Sequence, residues 1–459
     1  MDMTRSSDLL TAEKLAKAVA EEGGRLYYVG GFVRDALMGR ENKDIDVEAH
    51  GISYASLLSV LGTLGTPLVN GVNFGVFGLK GSRLDIALPR KEKLTGRGHR
   101  DFEVFVDPLI GPEEAAGRRD FTINAMLQDV LTGEILDFYG GRSDLKEGVI
   151  RHVRDASFPE DPLRVLRAAQ FSARFEFRIA DETVRLCSGM DLSALSRERV
   201  MEELKKAMLT APAPSVFFEQ LRNMDQLSYW FPEVQALIGV EQDPSFHPEG
   251  DVWTHTMLVL DEAAKLRPEA KEPLPFMMSA LCHDFGKPYT TEFVNGKIHS
   301  YHHETEGLAH AAELIGRLTS EHHLKKYVLN MVELHMRPNL LIARKSGEKA
   351  YMRTFDLSCE PEDLLLLAKA DFLGCGLGET DYSGHERVLE ERLLQYRERM
   401  SLPYVTGNDL ILAGVDPGTD FSAALAFAHK NRLAGVPKEE SLKQTLGYIR
   451  SLRRKKRCP

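Results

Sequence analysis

No stretch of the chain approaches the roughly 20 consecutive apolar residues of a membrane span. The opening MDMTRSSDLL has no apolar signal core, so a cytoplasmic protein without a membrane partner is expected. Cysteine is scarce. The five residues Cys187, Cys282, Cys359, Cys375 and Cys458 never fall at CxxC spacing, which argues against a disulfide or zinc framework and for reduced thiols. Excess positive charge is lacking too: 58 Lys and Arg stand against 68 Asp and Glu, a net charge of -10. That argues against a general polyanion binder, but not against a local basic surface that holds RNA by its phosphates. Internal repeats and long disordered linkers are absent. What is present is an ordinary globular composition, 43% apolar and 27% charged over 459 residues, a prior for about three domains.

The fold class read from the chain is α+β. TAEKLAKAVAEEG (11 to 23) has helical spacing and a glycine stop. RLYYVGG predicts a strand ending on glycine, and FVRDALMG a short helix closed by Gly39. DIDVEA alternates like a strand, so Asp44 and Asp46 share a face and Ile45 points the other way. A helix near SYASLLSVLG follows, then two strands in NFGVFGLKG and RLDIALP joined by Lys80-Gly81-Ser82. From about residue 154 strand signals thin out, and the chain reads as helix to about residue 400. A turn-helix-turn, LPYVTGNDLILAGVDPG, and two more helices lead to the basic end SLRRKKRCP, a candidate contact for an RNA backbone.

Two aspartates on one strand face suit hard divalent cations such as Mg²⁺, which takes oxygen ligands and leaves room for substrate phosphates. Two such ions roughly 3.5 to 4 Å apart activate an attacking hydroxyl and steady a leaving pyrophosphate. The preceding Gly30 and Gly31 let backbone amides approach a triphosphate, Arg34 or Lys43 supplies charge, and Asp85 on a later strand is placed as a third carboxylate.

GGFVRDALMGRENKDIDVEAHG resembles the head signature of the class II tRNA nucleotidyltransferases and bacterial poly(A) polymerases, within the DNA polymerase beta nucleotidyltransferase superfamily. GRRDFTINAM (117 to 126) is similar to their ribose- and triphosphate-contacting motif, and DFYGGRSDL (137 to 145) to their flexible head-neck connector. EDPLRVLRAAQFSARF (160 to 175) resembles the nucleotide-reading motif and LSRERVMEEL (195 to 204) the neck helix motif. The resemblance implies a polymerase beta-like head with a mixed sheet, followed by an all-helical neck, an HD domain and a tail. It implies Asp44, Asp46 and Asp85 as catalytic, with Mg²⁺ on Asp44 and Asp46, and Gly30, Gly31, Arg34, Arg118, Arg119, Asp120, Asn124, Asp161, Arg164 and Arg167 as nucleotide-binding. The residue chemistry agrees. Arg118 and Arg119 suit a triphosphate and Asp120 a sugar hydroxyl. Asp161 and Arg164, i and i+3 on one helix face, offer an acceptor and donors to the pairing edges shared by cytosine and adenine. Guanine and uracil present an imino N–H there and leave the arginine unpaired.

Downstream, GDVWTHTMLVLDEA, ALCHDFGKP, YHHETEGLAHA, VELHMRP and AKADFLG resemble an HD-domain metal site. The matching ligands are His255, His283, Asp284 and Asp371, and His303 and His335 match positions that add a second metal in some HD proteins. Imidazole with carboxylate suits a transition metal, and the resemblance implies phosphohydrolase chemistry.

The implied parts are a nucleotidyltransferase head at 1–140, a neck at 141–240, an HD domain at 241–395 and a tail at 396–459. The implied function is addition of CMP and AMP from CTP and ATP to the 3′ end of tRNA. Residues 86 to 108 resemble the loop that CCA-adding enzymes use to switch from CTP to ATP, and NGVNFGVFGLKG fits that pattern better than a poly(A) polymerase. Poly(A), CC-only and A-only addition remain alternatives. So do an HD hydrolase with a nucleotide-binding head and a structural RNA-binding protein.

Overall fold

Alternation in DIDVEAH becomes a strand with two unlike faces. A computed structural model describes residues 3–42, 44–69, 75–94, 102–107, 109–376, 381–418 and 420–457. The strands of the first part are β1 (Arg25–Val29), β2 (Ile45–His50), β3 (Pro67–Val69), β4 (Val76–Leu79), β5 (Leu84–Ala87), β6 (Arg90–Leu94), β7 (Phe102–Val106), β8 (Leu127–Asp129) and β9 (Ile135–Leu136). Seven of them form one sheet in the order β3-β4-β5-β2-β1-β8-β9. The sheet is mixed, because β2 runs parallel to β5 while the other pairs are antiparallel. β6 and β7 pair as a separate antiparallel ladder.

Along β2 and β5 the apolar residues Ile45, Val47, Leu84 and Ile86 point into a core closed by Ala12, Leu15, Ala16 and Val19 of helix Met3–Glu21 and by Leu57, Val60 and Leu61 of helix Tyr54–Leu64. Each such side chain stabilises by roughly 1.5–3 kcal/mol when fully buried. A one-residue slip would drive Asp46 and Glu48 into that core, so register is fixed. The opposite face is left to polar residues, and the register sets Asp46 directly beside Asp85.

The chain forms two compact units, Met1–Trp230 and Phe231–Pro459. The first ends in helices, among them Leu163–Phe175, Arg197–Thr210 and Ser215–Asn223. The second packs helices Val252–Leu266, Pro273–Cys282, His303–Leu318, His322–Leu334 and Pro361–Leu373, and ends in a small core around Val405, Leu410, Ala424 and Ile449. Among the described residues no helix is long and apolar enough to cross a membrane.

The neck and HD segments are largely helical as expected, and each also holds one short strand pair. β10 (Val149–Ile150) pairs in parallel with β11 (Arg178–Ile179), and β12 (Thr291–Val294) forms a hairpin with β13 (Lys297–Ser300). The hairpin turns on Asn295 and Gly296, both at positive φ (53° and 80°), the geometry that Asn-Gly favours between strands.

Candidate active site and candidate metal centre

In the first unit a cavity of about 610 Å³ is lined by Asp46, Glu48 and Asp85 from the sheet and by Arg118, Arg119, Asp120, Asp161, Arg164 and Arg167 among other residues. Anionic and cationic groups thus line one space. Burial holds Asp46 above the ordinary carboxylate range; the Arg119 cation opposes this, and the charges of Asp85 and Asp44 add to it. A cation placed between these carboxylates would relieve that crowding. Asp44 is exposed, one residue before β2, with its N–H held by Asn42 Oδ1 at 3.0 Å. The three aspartates do not close into a three-ligand group of metal-binding size among the described residues. The head therefore offers the Asp46–Asp85 pair with Asp44 nearby.

Gly30 adopts φ 64°, which favours glycine, and a Cβ there would lie 3.1 Å from Arg119 Nη1 and 3.8 Å from Asp46 Oδ2. Its backbone therefore runs beside both groups. Gly31 instead faces Arg34 and Asn42. The expected phosphate role of Arg34 needs correction. Its buried guanidinium pairs with Asp35 at 2.7 Å, donates to Asn124 Oδ1 at 2.6 Å and stacks on Phe171 and Phe175. That makes it an internal brace between helix Gly31–Leu37 and helix Leu163–Phe175, away from the cavity lining. Lys43, residues 70–74 and 95–101, and the end of the basic tail lie outside the described residues.

Asp120 is buried, which pushes its carboxyl up. Arg167, Asn124 and the Phe121 N–H overrule burial and hold it below the usual range. Arg167 Nε donates to Asp120 Oδ2 at 2.8 Å, and Asn124 Nδ2 to Asp120 Oδ1 at 3.0 Å. Asp120 therefore fixes two other members of the predicted set.

Asp161 and Arg164 both line the cavity but do not share a helix. Pro162 caps helix Leu163–Phe175 and restricts the residue before it, so Asp161 is extended (φ -124°, ψ 101°). Asp161 accepts from Leu163 N at 3.1 Å and from Arg199 Nη2 at 2.8 Å. Arg164 donates to Ser157 O and Arg118 O, each at 2.7 Å. Sequence reasoning missed Arg199 and Glu48. Arg199 stands in the quoted neck motif, and Glu48, on the same strand face as Asp46, meets His50 Nε2 at 2.7 Å and Arg119 Nη2 at 3.5 Å.

In the second unit all six predicted ligands converge. His255 comes from helix Val252–Leu266, His283 and Asp284 follow helix Pro273–Cys282, His303 opens helix His303–Leu318, His335 closes helix His322–Leu334, and Asp371 lies in helix Pro361–Leu373. These six ligands fall into two groups of metal-ligating dimensions: His255, His283 and Asp371, and Asp284, His303 and His335. His255 and His283 approach Nε2 to Nε2 at 3.3 Å, His303 and His335 at 3.4 Å. Behind them, Nδ1 of His283, His303 and His335 donates to Ala280 O, Ser300 O and Val332 O at 2.8, 2.8 and 2.7 Å. Those bonds leave the Nε2 lone pairs of His283, His303 and His335 directed into a buried space, while His255 Nε2 meets Asp371 Oδ1 at 3.1 Å. Burial lowers the His255 imidazole, but Asp371 with Glu249 outweighs it and raises the group to about 9. Burial, with His283 and His303 beside it, pushes His335 down to about 3, so it stays a neutral donor. Tetrahedral metal–nitrogen bonds of about 2.05 Å put neighbouring ligands roughly 3.3–3.4 Å apart, so the residues fit a transition metal. Lys287 Nζ sits 2.6 Å from Asp284 Oδ2 and 2.6 Å from Gln242 Oε1.

Gly286 makes this convergence possible, since a Cβ there would lie 2.0 Å from His303 O and 2.7 Å from Gly307 N. Backbone on both sides cannot yield. Gly286→Ala is therefore expected to destabilise the second unit by about 3 kcal/mol and to reduce bound transition metal, read by thermal melting and elemental analysis. A variant that melts with the parent and retains its metal contradicts this packing.

A family described as "Poly A polymerase head domain" matches residues 26–151, and "Probable RNA and SrmB- binding site of polymerase A" matches 176–238. The multifunctional CCA protein of Actinobacillus pleuropneumoniae serotype 5b is 37% identical over 361 residues, 76% of this chain and 85% of that one. That of Pasteurella multocida is 37% identical over 377 residues, 79% of this chain and 87% of that one. Among solved structures, the Thermotoga maritima CCA-adding enzyme complexed with tRNA has a TM-score of 0.63 at 23% identity, covering 96% of this chain and 95% of that chain. The Bacillus stearothermophilus CCA-adding enzyme in complex with CTP has a TM-score of 0.66 at 20% identity, covering 100% of both chains. These two likenesses concern the fold.

Proposed function

The chain belongs to the multifunctional CCA protein family, and on that premise we infer that it adds CMP and AMP, from CTP and ATP, to the 3′ end of tRNA. The observation that carries the reading is the Asp46–Asp85 pair, side by side in register and lining one cavity with Arg118, Arg119, Asp161 and Arg164. Asp46 and Asp85, with Asp44, would hold Mg²⁺, which supplies Lewis-acid stabilisation to a reacting triphosphate. Arg118 and Arg119 hold the triphosphate. Asp161 and Arg164 meet the base edge, each fixed by protein partners that leave further acceptor or donor positions. The 3′-hydroxyl of the RNA attacks the α-phosphate, and pyrophosphate leaves. The functional division is a head (1–140), a neck (141–240), an HD domain (241–395) and a tail (396–459).

Asp161→Ala or Arg164→Ala is expected to relax base choice more than it slows the chemistry. Lost pairing of about 1–3 kcal/mol shifts the ratio of CTP and ATP to UTP and GTP incorporation by roughly 5- to 150-fold. Side-by-side incorporation of the four nucleotides tests this. A uniform loss with unchanged ratios rules out base readout by this pair.

The His/Asp centre is assigned a separate role, hydrolysis of phosphomonoesters or cyclic phosphodiesters with a transition metal. The paired approach of imidazole Nε2 atoms supports it. Phosphate release from such substrates by the metal-loaded protein, lost on chelation, tests it.

A further inference from the structure

The two halves of the His/Asp centre have the same direct donors, two imidazoles and one carboxylate each. They differ in what stands behind those donors. In the half made by His255, His283 and Asp371, His255 Nδ1 lies 2.8 Å from Glu249 Oε1. Among the described residues Glu249 is the only carboxylate within hydrogen-bonding distance of Nδ1 of the four histidines; the other three Nδ1 atoms donate to backbone carbonyls, and Glu304 stands no nearer than 4.0 Å to that of His303. Its side chain is 2% exposed, the same Oε1 receives His247 Nδ1 at 2.8 Å, and Oε2 is buried without a hydrogen-bond partner. Asp284 lies between the halves, Oδ1 3.3 Å from His303 Nε2 and Oδ2 3.1 Å from His283 Nε2, with Lys287 Nζ 2.6 Å from Oδ2. The first half thus has a carboxylate hydrogen-bonded behind one of its imidazoles, and the second has backbone carbonyls behind both.

His247, Glu249 and Cys375 with His255 Nδ1 also have the dimensions of a ligand group. They do not make a third centre. His255 uses Nδ1–H to hold Glu249 if Nε2 is to face Asp371 as a ligand, and Cys375 Sγ donates to Asp371 O at 3.4 Å. The group is a support behind the first half.

We propose that Glu249 is a positioning residue that makes the His255–His283–Asp371 half the tight metal site and leaves the Asp284–His303–His335 half the exchangeable one. A carboxylate accepting from Nδ1–H orients the ring and makes Nε2 a stronger donor, which a peptide carbonyl does less well. The proposal rests on the reading of this centre as a metal site.

The test is a titration of the metal-free full-length protein with Co²⁺, followed by the visible absorption of the bound ion and by elemental analysis. The unaltered protein is expected to load two ions in steps at least about tenfold apart in affinity. Glu249→Ala should weaken the first step by about 10- to 100-fold and change its spectrum, with the second step in place. Glu249→Gln keeps an acceptor without the charge and should fall between, which also serves if the alanine variant folds poorly by circular dichroism. Two equal steps in the unaltered protein overturn the proposal, as does a first step that neither variant shifts. Uptake of no Co²⁺ overturns the metal reading itself, an outcome distinct from either.

Discussion

Asp46→Ala is expected to lower nucleotide addition to tRNA by about four orders of magnitude with little change in thermal stability. A metal-held triphosphate owes several kcal/mol of transition-state stabilisation to its ions, and each 1.36 kcal/mol is tenfold in rate. Asp46 stands in register with Asp85 on the polar face of the sheet, with the sheet's core on the other side. Asp44→Ala should act in the same direction, since Asp44 is close enough to push Asp46 upward by its charge. The stability half follows from sign. The folded state raises the Asp46 carboxyl, so folding binds that proton more tightly than unfolding does. The associated stability is present below the unfolded carboxylate range and is lost as pH rises through the raised value. At neutral pH the ionised side chain is a cost, and Asp46→Asn should melt at or slightly above the parent. Near-parental incorporation by Asp46→Ala, or a collapse of its melting temperature, contradicts the assignment.

Replacing His283 and Asp284 together by alanine is expected to remove the transition metal and any phosphohydrolase activity while nucleotide addition persists. Each half of the centre loses a direct ligand, because His283 belongs to one and Asp284 to the other. The carboxylate pair of the head lies in the other compact unit, with oxygen donors suited to Mg²⁺. Loss of buried ligands can also loosen a helical unit, so circular dichroism must accompany elemental analysis and both assays. A folded variant with full metal content, or one whose nucleotide addition falls in proportion to its metal, contradicts the independence of the two sites.

Much of this was legible in the residues because it depends on period. DIDVEA alternates, and the structure puts Asp46 and Glu48 on one face of β2 with Ile45 and Val47 on the other. RLDIA does the same for Asp85. The histidines were legible as an ordered set and converge as such. What failed depends on contacts distant in sequence. Arg34 reads as a free cation, yet Asp35, Asn124 and two phenylalanines of a remote helix claim it. Asp161 reads as helical until Pro162 is given its full weight. The hairpin around Asn295-Gly296 carried its own turn signal and was lost to the helical periodicity on either side. Glu249 offered one cue, a carboxylate in His-Pro-Glu-Gly six residues before a ligand histidine, but only the folded chain shows its oxygen behind that ring.

Addition of CCA to tRNA is read by incubating the protein with Mg²⁺ and tRNAs that end before, within or after CCA, each with CTP, ATP or both, and sequencing the 3′ ends. Two cytidines are expected on the shortest tRNA with CTP alone, one adenosine on the tRNA ending in CC with ATP alone, a completed CCA with both, and no growth beyond it. Long adenosine tails, arrest at CC with ATP present, or no extension of any substrate would contradict CCA addition.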